Sequence, residues 1–125
     1  MTAKKLFGPT RIETTGASWQ IEIDPIGGFG QVKDAVFSLK VHKVKTLATT
    51  TVTVAVKHSP DGASLAASLA TPINQTVTAE PVLFVGDTDS ATNGALNEYL
   101  HIDIGVGGGA NEWAVVELWM VNKPV

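Results

Sequence analysis

The chain has 125 residues, no cysteine and a formal net charge of −3. A chain of this length forms one domain that can bury about two-thirds of the surface it exposes when unfolded. The lack of cysteine excludes disulfides, thiolate metal sites and a cysteine nucleophile, the acidic balance argues against broad nucleic-acid affinity, and no run approaches the roughly 18 apolar residues of a membrane span.

The first ten residues, "MTAKKLFGPT", carry two lysines with no apolar run behind them, so they do not read as a signal peptide. Together with the missing cysteines this leans towards synthesis in the cytoplasm. Residues 1–10 are expected to form an extended arm, with Leu6 and Phe7 as anchors that order on docking to a neighbour and Lys4 and Lys5 beside them. Residues 11–125 are expected to form a single domain. Charge divides unevenly along the chain. Residues 1–57 hold eight Lys or Arg against four Asp or Glu, net +4, and residues 58–125 hold one against eight, net −7. This is either ordinary surface charge or a pair of opposite patches that meet between subunits.

Period-two alternation recurs from residue 17 onward. In 17–23, Ala17, Trp19, Ile21 and Ile23 share one face. "DPIGGFG" then breaks the chain through Pro25 and the glycines. In 34–45, Ala35, Phe37, Leu39 and Val41 oppose Ser38, Lys40 and His42, as expected for a sheet with one wet side. In 49–58, Val52, Val54 and Val56 alternate with Thr51, Thr53 and Ala55. The short link "TLAT" between these two runs predicts an antiparallel pair. Residues 63–70, "ASLAASLA", favour a strand or irregular segment over two turns of helix, because so short an isolated helix is marginal. "QTVTA" and "PVLFV" are short strand candidates, and 86–97 is a loop rich in Gly, Asp and Asn.

Near the C-terminus Leu100, Ile102 and Ile104 alternate with Tyr99, His101 and Asp103, and "GVGGGANE" is expected to form a hairpin into the last strand. That strand, 113–121, has Ala114, Val116, Leu118 and Met120 on one face and Trp113, Val115, Glu117, Trp119 and Val121 on the other. Both faces are largely apolar, which a strand buried on one side does not require. Either another part of the chain covers the second face, or Trp113 and Trp119 meet another chain, since tryptophan is enriched at interface centres. About seven strands with frequent turn signals predict an all-β fold, an antiparallel β-sandwich with a jelly-roll-like variant open.

No catalytic cluster emerges. His58 and Ser59 are consecutive in a strand and point to opposite faces, so they make a poor base–nucleophile pair. Pro60-Asp61-Gly62 meets the simpler demands of a turn. His42, His58 and His101 would make a three-histidine metal site only if their strands were neighbours. Asp87, Asp89 and Asn93 lack the flanking helices and the bidentate glutamate of a calcium loop. "GVGGG" opens a strand, not the helix that a phosphate-binding loop requires. Glu22, Asp24, Asp103, Glu112 and Glu117 are spread over the chain. No metal, cofactor or enzymatic activity is therefore expected.

An alternating strand ending in "VKHSPDGASL", a variable middle and "YLHIDIGVGGGANEWAVVELWMV" resemble small β-sandwich structural proteins of tailed bacteriophages, over about residues 50–121. Galactose-binding-like modules share parts of the pattern. The resemblance implies a head decoration or auxiliary capsid protein made in the host cytoplasm and resident in the virion. Its partners would be further copies of itself and a major capsid protein, with no nucleic acid or membrane. The candidate interface residues are Lys4, Lys5, Leu6, Phe7, Trp113 and Trp119. Many weak copies held on a lattice gain avidity, so no single interface need be large. The alternative is a carbohydrate-binding module of a tail or fibre.

Overall fold

The computed structural model describes residues 3–13, 17–22, 32–59, 68–88 and 99–124. They form eight strands: β1 Ala3–Glu13, β2 Ala17–Glu22, β3 Val32–Val44, β4 Thr51–Ser59, β5 Ser68–Thr76, β6 Val82–Asp87, β7 Tyr99–Gly107 and β8 Trp113–Pro124. They pair antiparallel into two four-stranded sheets, ordered β1-β8-β3-β6 and β2-β7-β4-β5. The pairs β1–β8, β2–β7, β3–β6 and β4–β5 are those of one long antiparallel ribbon wrapped over itself, so the open variant resolves to the jelly-roll order.

The alternation read from the sequence sets the core. Ala35, Phe37, Leu39 and Val41 of β3 and Ala114, Val116, Leu118 and Met120 of β8 are fully buried. They share one cluster with Val52, Val54, Val56, Ile73, Ile102, Ile104 and Val106 of the second sheet. Each Val, Leu, Ile, Phe or Met side chain among them contributes about 1.5–3 kcal/mol on burial.

Two expected hairpins are instead crossings between sheets. β3 and β4 were expected to pair, yet β3 lies in the first sheet and β4 in the second. The apolar faces of both strands must look into the same interior, and putting the strands in opposite layers achieves this. Thr46–Thr50 makes the crossing. Thr50 N donates to Thr46 O at 2.9 Å, and Thr46 N donates back to Thr50 Oγ1 at 3.1 Å. The expected glycine hairpin between β7 and β8 is likewise a crossing. β7 continues through Gly107 with Val106 buried, and the turn is left to residues 108–112. Gly108 sits at φ +102 with the Thr49 carbonyl where a Cβ would stand, so the two crossings press together there. Lys45 N donates to Trp113 O at 3.1 Å, joining them again.

Residues 3–10, expected as an arm, are the first part of β1, paired with β8 from Ala3↔Val121 to Glu13↔Trp113. Gly8-Pro9 is absorbed by two register shifts, between Lys5 and Phe7 and between Phe7 and Thr10, which an edge strand tolerates. β5 similarly contains Pro72 and lies at an edge. It ends at Thr76, so it takes in only the start of the expected strand "QTVTA". On the first sheet's other edge, Gly86 of β6 lies against the Pro72 carbonyl of β5, an approach that a Cβ would block. The Pro60-Asp61-Gly62 turn, most of 63–70, Asp89 and Asn93 lie outside the described residues.

Candidate interaction surface

Strand order and register place a continuous set of side chains on the outer face of the first sheet. Trp119 of β8 lies opposite Lys5 of β1 on one side and Ser38 of β3 on the other, and Ser38 lies opposite Val85 of β6. The next row runs Glu117, Lys40, Leu83, and the row on the other side runs Val121, Val36, Asp87. Trp119, Leu83 and Val85 are 37%, 58% and 60% exposed, and of the exposed large apolar residues in the described part of the chain only Leu47 lies elsewhere. Half-buried Val36 and Val121 connect them. The sheet therefore presents an apolar stripe across β8, β3 and β6, bordered by Lys5, Lys40 and Asp87.

Trp119 is held in place. Its Nε1–H donates to Glu117 Oε2 at 3.0 Å, and the other oxygen, Oε1, lies 2.8 Å from His42 Nε2. Glu117 is thus bound at both oxygens by groups on β8 and β3. The Trp119 N–H, the His42 contact and, at longer range, Lys40 hold its carboxyl below the usual carboxylate range, against a smaller opposing effect of burial. Farther along β8 the Arg11 guanidinium lies over the Trp113 ring, 4.6 Å from its centroid. Arg11 also reaches Glu13 at 3.4 Å, an exposed pair that adds little.

The expected interface residues therefore fall into different settings. Trp119 stands out on the sheet face, while Trp113 is half-buried beneath Arg11. Lys4 and Lys5 are exposed on β1. Leu6 and Phe7 are half-buried against the chain's own core, so their anchoring is within the domain. Leu83 and Val85 were missed. The signal was present in "PVLFV", where both alternating faces are apolar, as in β8.

The three histidines do not converge. His42 lies in the first sheet, and His58 and His101 lie on β4 and β7 of the second. Even there the register sets His58 opposite Leu100 and His101 opposite Lys57, one step out of phase. Among the described residues no group of three or more His, Cys, Asp or Glu is arranged to hold a metal ion. Glu112 is buried and accepts the Thr50 hydroxyl at 2.6 Å between the two crossings, a role in holding the fold.

No protein-family model matches the chain, and no curated protein matches it in sequence. One solved structure is similar to it, titled "Structure of infectious bursal disease virus Gx strain", at 9% identity and a TM-score of 0.47. The match covers 97% of this chain and 29% of the other, so the chain spans less than a third of that protein. At that identity and score the likeness carries no functional inference.

Proposed function

We propose that this chain is a non-enzymatic structural protein of a phage virion. It decorates or stabilises a capsid by associating with itself and by binding the major capsid protein. The observation that carries this reading is the apolar stripe of Trp119, Val36, Leu83 and Val85 on a sheet face that the domain's own core does not need. A small monomer seldom leaves contiguous large apolar side chains on one face without a partner for them. The phage resemblance of residues 50–121 supports the virion setting, and a jelly roll is an architecture shared by capsid and lectin domains alike. Purified chain incubated with shells lacking it should co-sediment with them, and Trp119→Ala should weaken that binding while leaving the folded domain intact. A chain that ignores shells and binds glycans would overturn the reading.

One observation favours the carbohydrate-binding alternative. Trp119 is an exposed aromatic ring with His42 and Glu117 beside it. However, the indole N–H is taken by Glu117 Oε2, and the other Glu117 oxygen is taken by His42. That leaves fewer polar groups to bind sugar hydroxyls than a stacking site usually offers. A glycan array on the wild type and on Trp119→Ala separates the two readings.

A further inference from the structure

We infer that two copies of this chain join through β6, edge to edge and antiparallel about a two-fold axis at Phe84, extending the first sheet to eight strands. The inference rests on the self-association reading and gives it a location.

The four sheet edges are not equivalent. β1 is interrupted by Gly8-Pro9 and two register shifts and carries exposed Lys4 and Lys5. β5 contains Pro72, and its pairing with β4 shifts register twice. Proline, irregular register and lysine are the devices by which sheet edges avoid pairing with other chains. β2 is regular, but one set of its alternate positions is Ser18, Gln20 and Glu22. Between Val82 and Asp87, β6 has no proline, lysine or register shift; Pro81 stands just before it and marks where the stretch able to pair ends. The outward positions of β6 are Leu83 and Val85. Among the described residues no strand lies along its other side. A row of strand N–H and C=O groups is satisfied by another strand.

Self-pairing is geometrically allowed because side chains alternate. Inward and outward positions match across a two-fold only when the axis passes through a residue. An axis at Phe84 sets Leu83 opposite Val85 of the second copy and Val85 opposite its Leu83. Four exposed aliphatic side chains then form one outer cluster, continuous on each side with Ser38 and Trp119. This register keeps like charges apart. Asp87 comes opposite Pro81 of the other copy, and the two Asp87 residues stand about 20 Å apart along the strands. Glu80, beside Pro81, is turned back onto β3, where it accepts from Val44 N at 2.6 Å.

The test uses the full chain, which contains no cysteine of its own. Sedimentation equilibrium at up to about 100 µM should show a dimer. Leu83→Lys and Val85→Lys should each give a monomer with unchanged circular dichroism, and Trp119→Ala should remain dimeric. Oxidising a mixture of the Leu83→Cys and Val85→Cys chains should cross-link them efficiently. Directly opposite Cα atoms lie about 4.5–5.5 Å apart, within disulfide reach. Either variant alone should cross-link several-fold less, because its like residues stand on a diagonal of about 7–8 Å. A monomeric wild type, dimers that survive both lysines, or equal cross-linking by each cysteine variant alone would overturn the pairing. If a lysine variant loses its fold, the cysteine mixture still decides. Monomers that bind shells would sink the β6 pairing and the self-association, and spare the capsid-binding part of the functional reading. Dimers that never bind shells would do the reverse.

Discussion

The Glu112 carboxylate accepts the Thr50 hydroxyl at 2.6 Å across 62 residues of sequence, with both side chains buried. Thr50 belongs to the crossing from β3 to β4 and Glu112 to the crossing from β7 to β8. The bond therefore ties together the two places where the chain changes sheets at this end of the sandwich. Removing the hydroxyl leaves a buried carboxylate short of a donor. Thr50→Val should cost about 1–3 kcal/mol in urea unfolding, and Glu112→Gln, which keeps an acceptor, should cost less. A double-mutant cycle should show coupling above about 0.5 kcal/mol. Strict additivity would mean that the bond does not join the crossings.

Gly108 should be hard to replace. Its φ of +102 disfavours any L side chain, and the Thr49 carbonyl occupies the space a Cβ needs. Gly108→Ala should destabilise by about 1–3 kcal/mol. Gly86→Ala should also be costly, because the Pro72 carbonyl blocks its Cβ at an ordinary φ. Thermal melts that leave either variant at the wild-type midpoint would contradict these close approaches.

Neighbouring residues of β8 should respond in opposite ways. Leu118 is fully buried, and Leu118→Ala should cost about 2–5 kcal/mol. Trp119, one residue on, faces outward, and Trp119→Ala should cost less than half as much. Equal losses in urea midpoints would put Trp119 in the core and remove it from any interface.

The His42–Glu117–Trp119 contacts predict a pH dependence. The Glu117 carboxyl is held below its ordinary value when folded. Its stabilising contribution is therefore complete above the unfolded value of about 4.3 and declines as pH falls through the lower folded value. Glu117→Gln should destabilise the protein at neutral pH, and the difference from wild type should shrink on acidification below about pH 4.3. A difference that stays constant through the acid range would refute the assignment.

Trp119 was visible as a candidate because both faces of β8 are apolar, a property of nine consecutive residues. Its hold through His42 was not visible, because His42 and Glu117 are 75 positions apart and meet only through the β3–β8 register. Leu83 and Val85 needed the sheet order to become part of the same face. Glu112 looked like one scattered carboxylate among several until the two crossings were brought together.

The sequence by itself determined that the chain is all-β and which sides of β3, β4 and β7 are buried. Period-two alternation is local and survives any arrangement of the strands. Tertiary structure decided which sheet each strand joins. A link of five or six residues serves a hairpin or a crossing equally well, and only the need to bury two apolar faces against each other selects between them. It also made strands of β1 and β5 despite Pro9 and Pro72, because an edge position leaves one side of the backbone free of ladder hydrogen bonds.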